Sequence, residues 1–141
     1  MLPEILLVED SATQALRLSL VLQRAGLLVE WAPNGRVAVA MATAQPPRAV
    51  IVDVNLPGMD GVQVCRALRS HPATAATPLI LLTVRDRAQD TLAGLDAGAA
   101  AYIPKDDYAE ANLLQALRDM GILDRLPAAA DMPALRSQGW S

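Results

Sequence analysis

The sequence has only one cysteine, Cys65, and one histidine, His71, among its 141 residues. A single cysteine excludes an internal disulfide framework and a paired-cysteine metal site, so nothing in the chain points to an oxidising compartment. We interpret Cys65 as a small buried thiol on a helix. His71 has no second histidine or cysteine at ligand spacing, and we interpret it as a surface residue rather than a metal ligand.

The chain is also poor in clustered basic residues and in long apolar runs. Its 12 Lys and Arg residues are outnumbered by 15 Asp and Glu residues, which gives a formal net charge of −3. Neutralising the phosphates of nucleic acid requires clustered Lys and Arg, so we expect no direct DNA binding. The first apolar run, Ile5–Val8, is far too short for a secretory or membrane-spanning segment. We therefore expect a cytoplasmic protein without a membrane partner.

Five short apolar runs alternate with helical patterns along the chain. These runs are the predicted strands, Ile5–Val8, Leu27–Trp31, Ala49–Val52, Leu79–Leu82 and Ala101–Ile103. Mostly continuous apolar runs of this length are typical of parallel strands that are covered on both faces. Because a helical pattern follows each strand, the sequence predicts an α/β domain with right-handed crossovers and helices on both faces of a parallel sheet.

Local signals mark the ends of the five predicted helices. Three helices begin with capping-box pairs, which are Ser11 with Gln14, Asp86 with Gln89, and Asp107 with Glu110. Glycines end the first helix at Gly26 and the fourth at Gly98. The other two helices are predicted over Asn34–Ala44 and Gly61–Ser70. We predict one domain over residues 1–121, and residues 122–141 form a Pro-interrupted, Ala-rich tail that either packs on the domain or extends from it.

Residues that can handle a phosphoryl group or a metal follow four of the predicted strands. They are Glu9 and Asp10, Asp53, Thr83, and Lys105. Because the carboxyl ends of parallel strands meet at one edge of a sheet, these side chains are expected to converge in one cleft. Taken singly, Glu9 suits a solvated loop, Asp10 a helix N-cap and Asp53 a turn. The position of Asp53 nevertheless favours a functional role, since a carboxylate directly after a buried strand is costly to bury without a partner.

Four segments of the chain resemble the receiver domain of two-component response regulators. They are Ile5–Ser11, Val50–Gly61, Leu81–Thr83 and Gly98–Lys105, in the order and spacing of that family. The resemblance covers residues 4 to 120. It implies a flavodoxin-like, doubly wound five-stranded parallel sheet with strand order 2-1-3-4-5 and five helices on its two faces.

The residue types also suit phosphoryl transfer to a carboxylate, in agreement with the roles that the receiver family gives to the matching positions. Asp53 would act as the nucleophile and form an acyl phosphate. Three nearby carboxylates repel one another unless a cation neutralises them, and Mg²⁺ prefers such oxygen ligands. Its predicted ligands are Glu9, Asp10, Asp53 and the backbone carbonyl of Asn55. Lys105 and the Thr83 hydroxyl would contact phosphoryl oxygens.

The resemblance implies a single-domain response regulator that signals through protein contacts. Its phosphodonor would be a histidine kinase or a phosphotransfer protein, and its output face would be built from the last two predicted helices. Tyr102 would be the switch aromatic that follows Thr83, although it also suits a half-buried strand position. The chain would be a phosphoacceptor rather than an enzyme. The alternative is a receiver fragment of a hybrid kinase, or a docking module that works without phosphorylation.

Three positions depart from the usual receiver pattern. Asp106 follows Lys105 where many receivers have proline, so the loop before the last helix is expected to differ in shape. Val84 follows Thr83 where receivers often carry a smaller side chain, which would narrow access to the phosphorylation site. Arg85 lies two residues beyond Thr83, where a long cation would shield the phosphoryl group.

Two other classes fit the pattern less well. Dehalogenase-type phosphatases carry a second aspartate two residues after their nucleophile, and that position is Asn55 here. A flavin or nucleotide binder would need a phosphate-cradling loop after the first strand, where Glu9 and Asp10 would repel phosphate instead.

Overall fold

The computed structural model describes residues 4–83 and 97–123, which form one sheet flanked by helices. In chain order the elements are β1 (Ile5–Val8), α1 (Ala12–Arg24), β2 (Val29–Ala32), α2 (Gly35–Ala44), β3 (Ala49–Asp53), α3 (Gly61–Ser70), β4 (Leu79–Thr83), β5 (Ala101–Pro104) and α4 (Ala109–Asp119). The helix predicted from Asp86 and the tail after Leu123 lie outside the described residues.

The five strands pair in parallel in the order β2-β1-β3-β4-β5. This order confirms the predicted flavodoxin-like topology. Because all the strands run in the same direction, their carboxyl ends lie along one edge of the sheet. The central strand β3 is hydrogen-bonded to β1 on one side and to β4 on the other, so the residue that ends β3 lies in the middle of that edge.

Two hydrophobic clusters bury the two faces of the sheet. Alternate residues of a strand point to opposite faces. Ile51 accordingly packs in the cluster that contains α1 and α4, and Val52 packs in the cluster that contains α2 and α3. All residues of β1, β3 and β4 are buried, including Asp53 and Thr83, which directly follow the predicted apolar runs of β3 and β4. Packing on both faces therefore fixes the positions of the polar residues at the ends of these strands.

Strand β2 begins two residues later than the sequence predicts, because Leu27 folds back against the end of α1. Gly26 has a φ of +93°, a backbone conformation that suits glycine and ends the helix. The Leu27 amide then donates to the Leu22 carbonyl at 3.1 Å, and the Leu27 side chain is buried in the cluster with α1. Its apolar character therefore reflects packing at the helix end, and β2 is confined to Val29–Ala32.

The capping box predicted from Asp107 and Glu110 at the last helix is wrong. Helix α4 begins at Ala109, and its N-cap residue, Tyr108, makes no side-chain capping bond. The Asp106 carboxylate instead accepts a hydrogen bond from the Tyr108 amide at 2.8 Å. Glu110 is buried, and burial raises the pKa of its carboxyl group, while the charge of Arg17 on α1 acts in the opposite direction. Tertiary packing of this side chain has taken precedence over a local capping pair.

The chain continues to pack for two residues after Gly121. The amides of Ile122 and Leu123 donate to the carbonyl of Leu117 at 2.9 and 3.2 Å, and both side chains are buried in the cluster with α1 and α4. The Gly121 carbonyl accepts a hydrogen bond from Arg48 at 3.1 Å. The end of α4 is thereby attached beneath the amino end of β3.

Candidate functional site

The polar residues predicted at the strand ends lie at the carboxyl edge of the sheet. Asp53 ends β3 and Thr83 ends β4, while Glu9 follows β1 and Lys105 follows β5. Glu9, Asp53 and Thr83 are 1, 5 and 2% exposed. Asp10, one residue further along, is exposed. The edge therefore presents a largely buried polar group with solvent on the Asp10 side.

Lys105 is the centre of this group. Its Nζ donates to Asp53 Oδ2 at 2.8 Å, to Glu9 Oε1 at 3.0 Å and to Gln14 Oε1 at 2.7 Å. The Lys105 side chain is only 9% exposed. An ammonium group has three N–H donors, and each has an acceptor here. The two ion pairs compensate for the burial of two carboxylates that would otherwise repel each other.

Three carboxylates form a cluster that fits a divalent cation. One oxygen from each of Glu9, Asp10 and Asp53 lies within 4.8 Å of the others. Asp53 Oδ1 also accepts a hydrogen bond from the Asn55 amide at 2.9 Å, which holds the Asn55 backbone beside the cluster. Carboxylate and carbonyl oxygens are the ligands that Mg²⁺ and Ca²⁺ prefer. The donor set therefore suits a hard cation, with two buried ligands and one on the solvent side.

Burial controls the protonation of Glu9. Removal from water raises the pKa of its carboxyl group to about 7, with the hydrogen bond from Lys105 acting in the opposite direction and the Asp53 charge adding to the rise. For Lys105, burial disfavours the charged form, but the hydrogen bonds and charges of Asp53 and Glu9 outweigh burial and raise its pKa. Lys105 therefore remains an ammonium group at neutral pH.

Thr83 ends β4, and Tyr102 lies on the neighbouring strand β5, which leads to Lys105. The Thr83 carbonyl accepts a hydrogen bond from the Lys105 amide, so the two residues are joined through the backbone. Tyr102 pairs with Leu81, and its ring packs on the cluster that contains α2 and α3. Its hydroxyl is buried and has no hydrogen-bond partner in the part of the chain that the structure describes. Because a buried hydroxyl without a hydrogen bond is costly, a movement of the Tyr102 side chain that brought its hydroxyl to an acceptor would lower the free energy.

Sequence reasoning missed two side chains that contact the site residues. Gln14 accepts a hydrogen bond from Lys105, although the sequence predicts it as a capping residue. The Trp31 indole N–H donates to the Glu9 carbonyl at 2.6 Å and so supports the loop that carries Glu9 and Asp10. Trp31 lies near the end of β2, the edge strand that pairs with β1. This position was the sequence feature that could have predicted its contact with the loop after β1.

The remaining sequence predictions have different outcomes. Cys65 is buried on α3 and His71 lies at the surface, as predicted. Asp60 and Gly61 begin α3, and Asp60 forms a complete capping box with Gln63. Val84 and Arg85 lie outside the described residues. Among the helices of residues 4–83 and 97–123, none is long and apolar enough to cross a membrane.

Known proteins share this sequence pattern over most of the chain. The family model for the response regulator receiver domain matches residues 5–118. The chain is 33% identical over 138 residues to the DNA-binding dual master transcriptional regulator RpaA of Synechocystis sp., an alignment that covers 98% of this chain and 57% of RpaA. The chain spans about half the length of the first curated relatives that it matches.

Solved structures share the fold at similar identity. The chemotaxis protein CheY4 of Vibrio cholerae aligns with a TM-score of 0.78 and 31% identity, over 85% of this chain and 99% of that protein. The receiver domain of the sensor histidine kinase PA1611 from Pseudomonas aeruginosa, solved with a magnesium ion in its active-site cleft, gives a TM-score of 0.76 and 30% identity over 86% of this chain and 99% of that domain. The sheet order, the acidic edge and the family match together show that this chain belongs to the response regulator receiver domain family.

Proposed function

We propose that this chain is a single-domain response regulator that accepts a phosphoryl group on Asp53. The observation that carries the proposal is the position of Asp53, which is 5% exposed at the centre of the sheet edge and bonded to Lys105 at 2.8 Å. A carboxylate that is buried beside an ammonium group and two further carboxylates is expensive to maintain for stability alone. It is well placed to act as a nucleophile.

The reaction follows from the groups at this edge. One Asp53 carboxylate oxygen attacks the phosphorus of a phosphohistidine, the P–N bond breaks, and the imidazole leaves with the electron pair of that bond. Lys105 offers an N–H to a phosphoryl oxygen and compensates for the negative charge that arrives. Glu9, Asp10, Asp53 and the backbone carbonyl of Asn55 would hold Mg²⁺, which supplies charge neutralisation for the incoming phosphoryl group.

Thr83 and Tyr102 are proposed to transmit the modification to the surface. The Thr83 hydroxyl would donate to a second phosphoryl oxygen, and Tyr102 on the neighbouring strand would turn inward when Thr83 moves. The backbone link between Thr83 and Lys105 supports a coupled movement of the two strand ends. The Tyr102 hydroxyl is buried and has no hydrogen-bond partner among residues 4–83 and 97–123, which supports a side chain that has a second arrangement available.

The proposed partners are a histidine kinase or phosphotransfer protein as donor and a protein target as reader. The proposed receiver domain covers residues 1–121, and residues 122–141 form the tail. The proposed location of the protein is the cytoplasm. Direct DNA binding is not proposed, because the net charge is −3 and the Lys and Arg residues are dispersed. The second candidate is a receiver segment of a longer regulator or hybrid kinase, which is favoured by the greater length of the first curated relatives.

Phosphorylation of the purified chain with acetyl phosphate and Mg²⁺ tests the function. Intact-mass measurement is expected to show one added phosphoryl group, and Asp53→Asn is expected to abolish it because the nucleophile is lost. Asp60→Asn is the matched control, since Asp60 is a capping carboxylate at the start of α3 and should leave labelling intact. A label that persists in Asp53→Asn, or that appears on serine or histidine, would contradict the proposal.

A further inference from the structure

An exposed tryptophan lies beside the loop that carries Glu9 and Asp10. Trp31 is the third residue of the edge strand β2 and is 41% exposed. It is paired with Leu7 of β1, so its side chain lies on the face of the sheet that α1 covers. Its indole N–H donates to the Glu9 carbonyl at 2.6 Å. This bond joins a surface residue of the edge strand to the backbone of the acidic loop.

The indole takes the place of a backbone donor that the sheet does not provide. The parallel ladder between β1 and β2 continues past Val8, since the Glu9 amide donates to the Ala32 carbonyl at 3.1 Å. In a parallel ladder the Glu9 carbonyl would next accept from the amide two residues beyond Ala32, which belongs to Asn34. Asn34 is instead the N-cap residue of α2, and the proline before it ends the strand. The Trp31 side chain therefore supplies the donor at this end of the sheet.

The indole bond orients the peptide group from which Asp10 extends. A peptide unit is planar, so a bond that holds the Glu9 carbonyl also orients the amide and the Cα of Asp10. The next bond along the loop holds a different group, since the Ser11 amide donates to Glu9 Oε2 at 3.2 Å rather than to the Gln14 side chain. Asp10 is the exposed member of the three-carboxylate cluster. Because solvent surrounds its side chain, its backbone decides where its carboxylate lies.

We propose that Trp31 is a positioning residue for the cation, because its indole N–H holds the Glu9–Asp10 peptide with the Asp10 carboxylate already beside the other two. This inference rests on the magnesium site of the proposed function. A preorganised ligand binds more tightly, since less conformational freedom is lost when the cation arrives. Coupling of this kind is reciprocal, so the cation also stabilises the indole bond. Trp31 therefore responds to the cation although its indole N–H is a donor and cannot be a ligand.

The test uses a reference chain with Trp140→Phe, in which Trp31 is the remaining tryptophan. Trp31→Phe in this chain keeps an apolar ring but has no N–H. Its Mg²⁺ dissociation constant, measured by NMR titration of backbone amides, is expected to be about threefold to tenfold higher, the factor that one net hydrogen bond represents. Biosynthetic replacement of Trp31 by benzothienylalanine substitutes sulfur for the N–H and keeps the shape of the indole. It is expected to give the same loss of affinity with the packing unchanged.

Leu28→Ala is the matched control for apolar surface on the same strand. Leu28 directly precedes β2 and is 42% exposed, but it lies at the opposite end of the strand from the acidic loop. The Mg²⁺ dissociation constant is expected to stay unchanged in this variant.

A second readout follows the indole itself. In the reference chain the indole N–H signal of Trp31 is expected to shift with Mg²⁺ and to exchange more slowly with solvent, at the same midpoint as the backbone amides. A role of Trp31 in strand stability alone would change the unfolding midpoint of the variants but neither the Mg²⁺ affinity nor this signal.

The inference is overturned by unchanged Mg²⁺ affinity in the benzothienylalanine variant, by an equal loss in Leu28→Ala, or by an indole signal that Mg²⁺ does not move. A reference chain that binds no Mg²⁺ would refute it together with the metal site. Labelling of Asp53 is a separate measurement, so failure of the proposed function is distinguishable. A chain that binds Mg²⁺ but takes no label would refute the function and leave the role of Trp31 intact.

Discussion

At the residue scale, the site depends on charge compensation between buried groups. Lys105 bridges Asp53 and Glu9, and burial raises the pKa of the Glu9 carboxyl group to about 7. Asp10 differs from both acids because it is exposed and is not one of the three side chains that accept a hydrogen bond from Lys105. It is therefore the carboxylate most available to a cation arriving from solvent.

Asp10→Asn should consequently weaken Mg²⁺ binding by about tenfold or more, since a charged ligand is replaced by a neutral one in a cluster of three. The dissociation constant can be measured by calorimetry or by Mg²⁺-dependent NMR shifts. Glu30→Gln removes one negative charge from an exposed position on β2 and serves as the control for net charge. Unchanged Mg²⁺ affinity in Asp10→Asn would show that Asp10 is not a ligand.

At the element scale, the close approach of α3 to β3 depends on Gly61. A Cβ atom on Gly61 would lie 2.6 Å from the Asp53 carbonyl oxygen and 2.7 Å from Val54 Cα. The Gly61 amide also donates to the Val54 carbonyl at 3.1 Å. The loop between Asp53 and α3 therefore returns directly over the end of β3. This return places the start of α3 against the backbone of the proposed phosphoacceptor.

Gly61→Ala is expected to destabilise the fold by about 2 kcal/mol or more, because the obstructing atoms are backbone and cannot rotate away. The comparison is Gly121→Ala, where a Cβ would meet no atom within 4 Å and only the φ of +77° opposes the side chain, at about 1 kcal/mol. Urea unfolding of both variants would give the difference. Equal losses would mean that the tight contact at Gly61 relaxes without cost.

At the scale of the whole molecule, the proposed mechanism carries a change at Asp53 to the surface through β4 and β5. Thr83 ends β4, Tyr102 lies on β5, and the two strands are paired in register along their length. The output surface proposed from the sequence includes the helix predicted from Asp86, which lies outside the described residues. Of this proposed route, the structure describes the residues of one step, from Lys105 and Thr83 to Tyr102.

Thr83→Ala is expected to retain phosphorylation of Asp53 but to lose most of the NMR shift that beryllofluoride induces at Tyr102, because the hydroxyl positions the strand end rather than attacking phosphorus. The free energy that couples modification of Asp53 to the movement of Tyr102 is expected to be about 1 to 3 kcal/mol. Thr83→Ser keeps a hydroxyl and should restore the shift. Full transmission to Tyr102 in Thr83→Ala would exclude Thr83 as the link.

The resemblance to the receiver family supplied the strand order. The sequence by itself determined the parallel sheet with helices on its two faces and the edge at which Glu9, Asp10, Asp53, Thr83 and Lys105 lie. These features follow from short apolar runs and from the parallel direction of the strands, which brings their ends to one edge whatever the details of packing. The capping box of Asp60 was equally local, since its partner is three residues away.

Only the tertiary structure decided which groups meet at that edge. Gln14 and Lys105 are 91 residues apart, and their hydrogen bond exists because β1 brings Glu9 to the Ser11 amide while β5 brings Lys105 to α1. The predicted box at Asp107 does not form either, because α4 begins at Ala109 and the Glu110 side chain is buried. Capping patterns identify donors and acceptors that can pair locally, but a buried charge from a distant strand offers a stronger partner, and the side chain follows it.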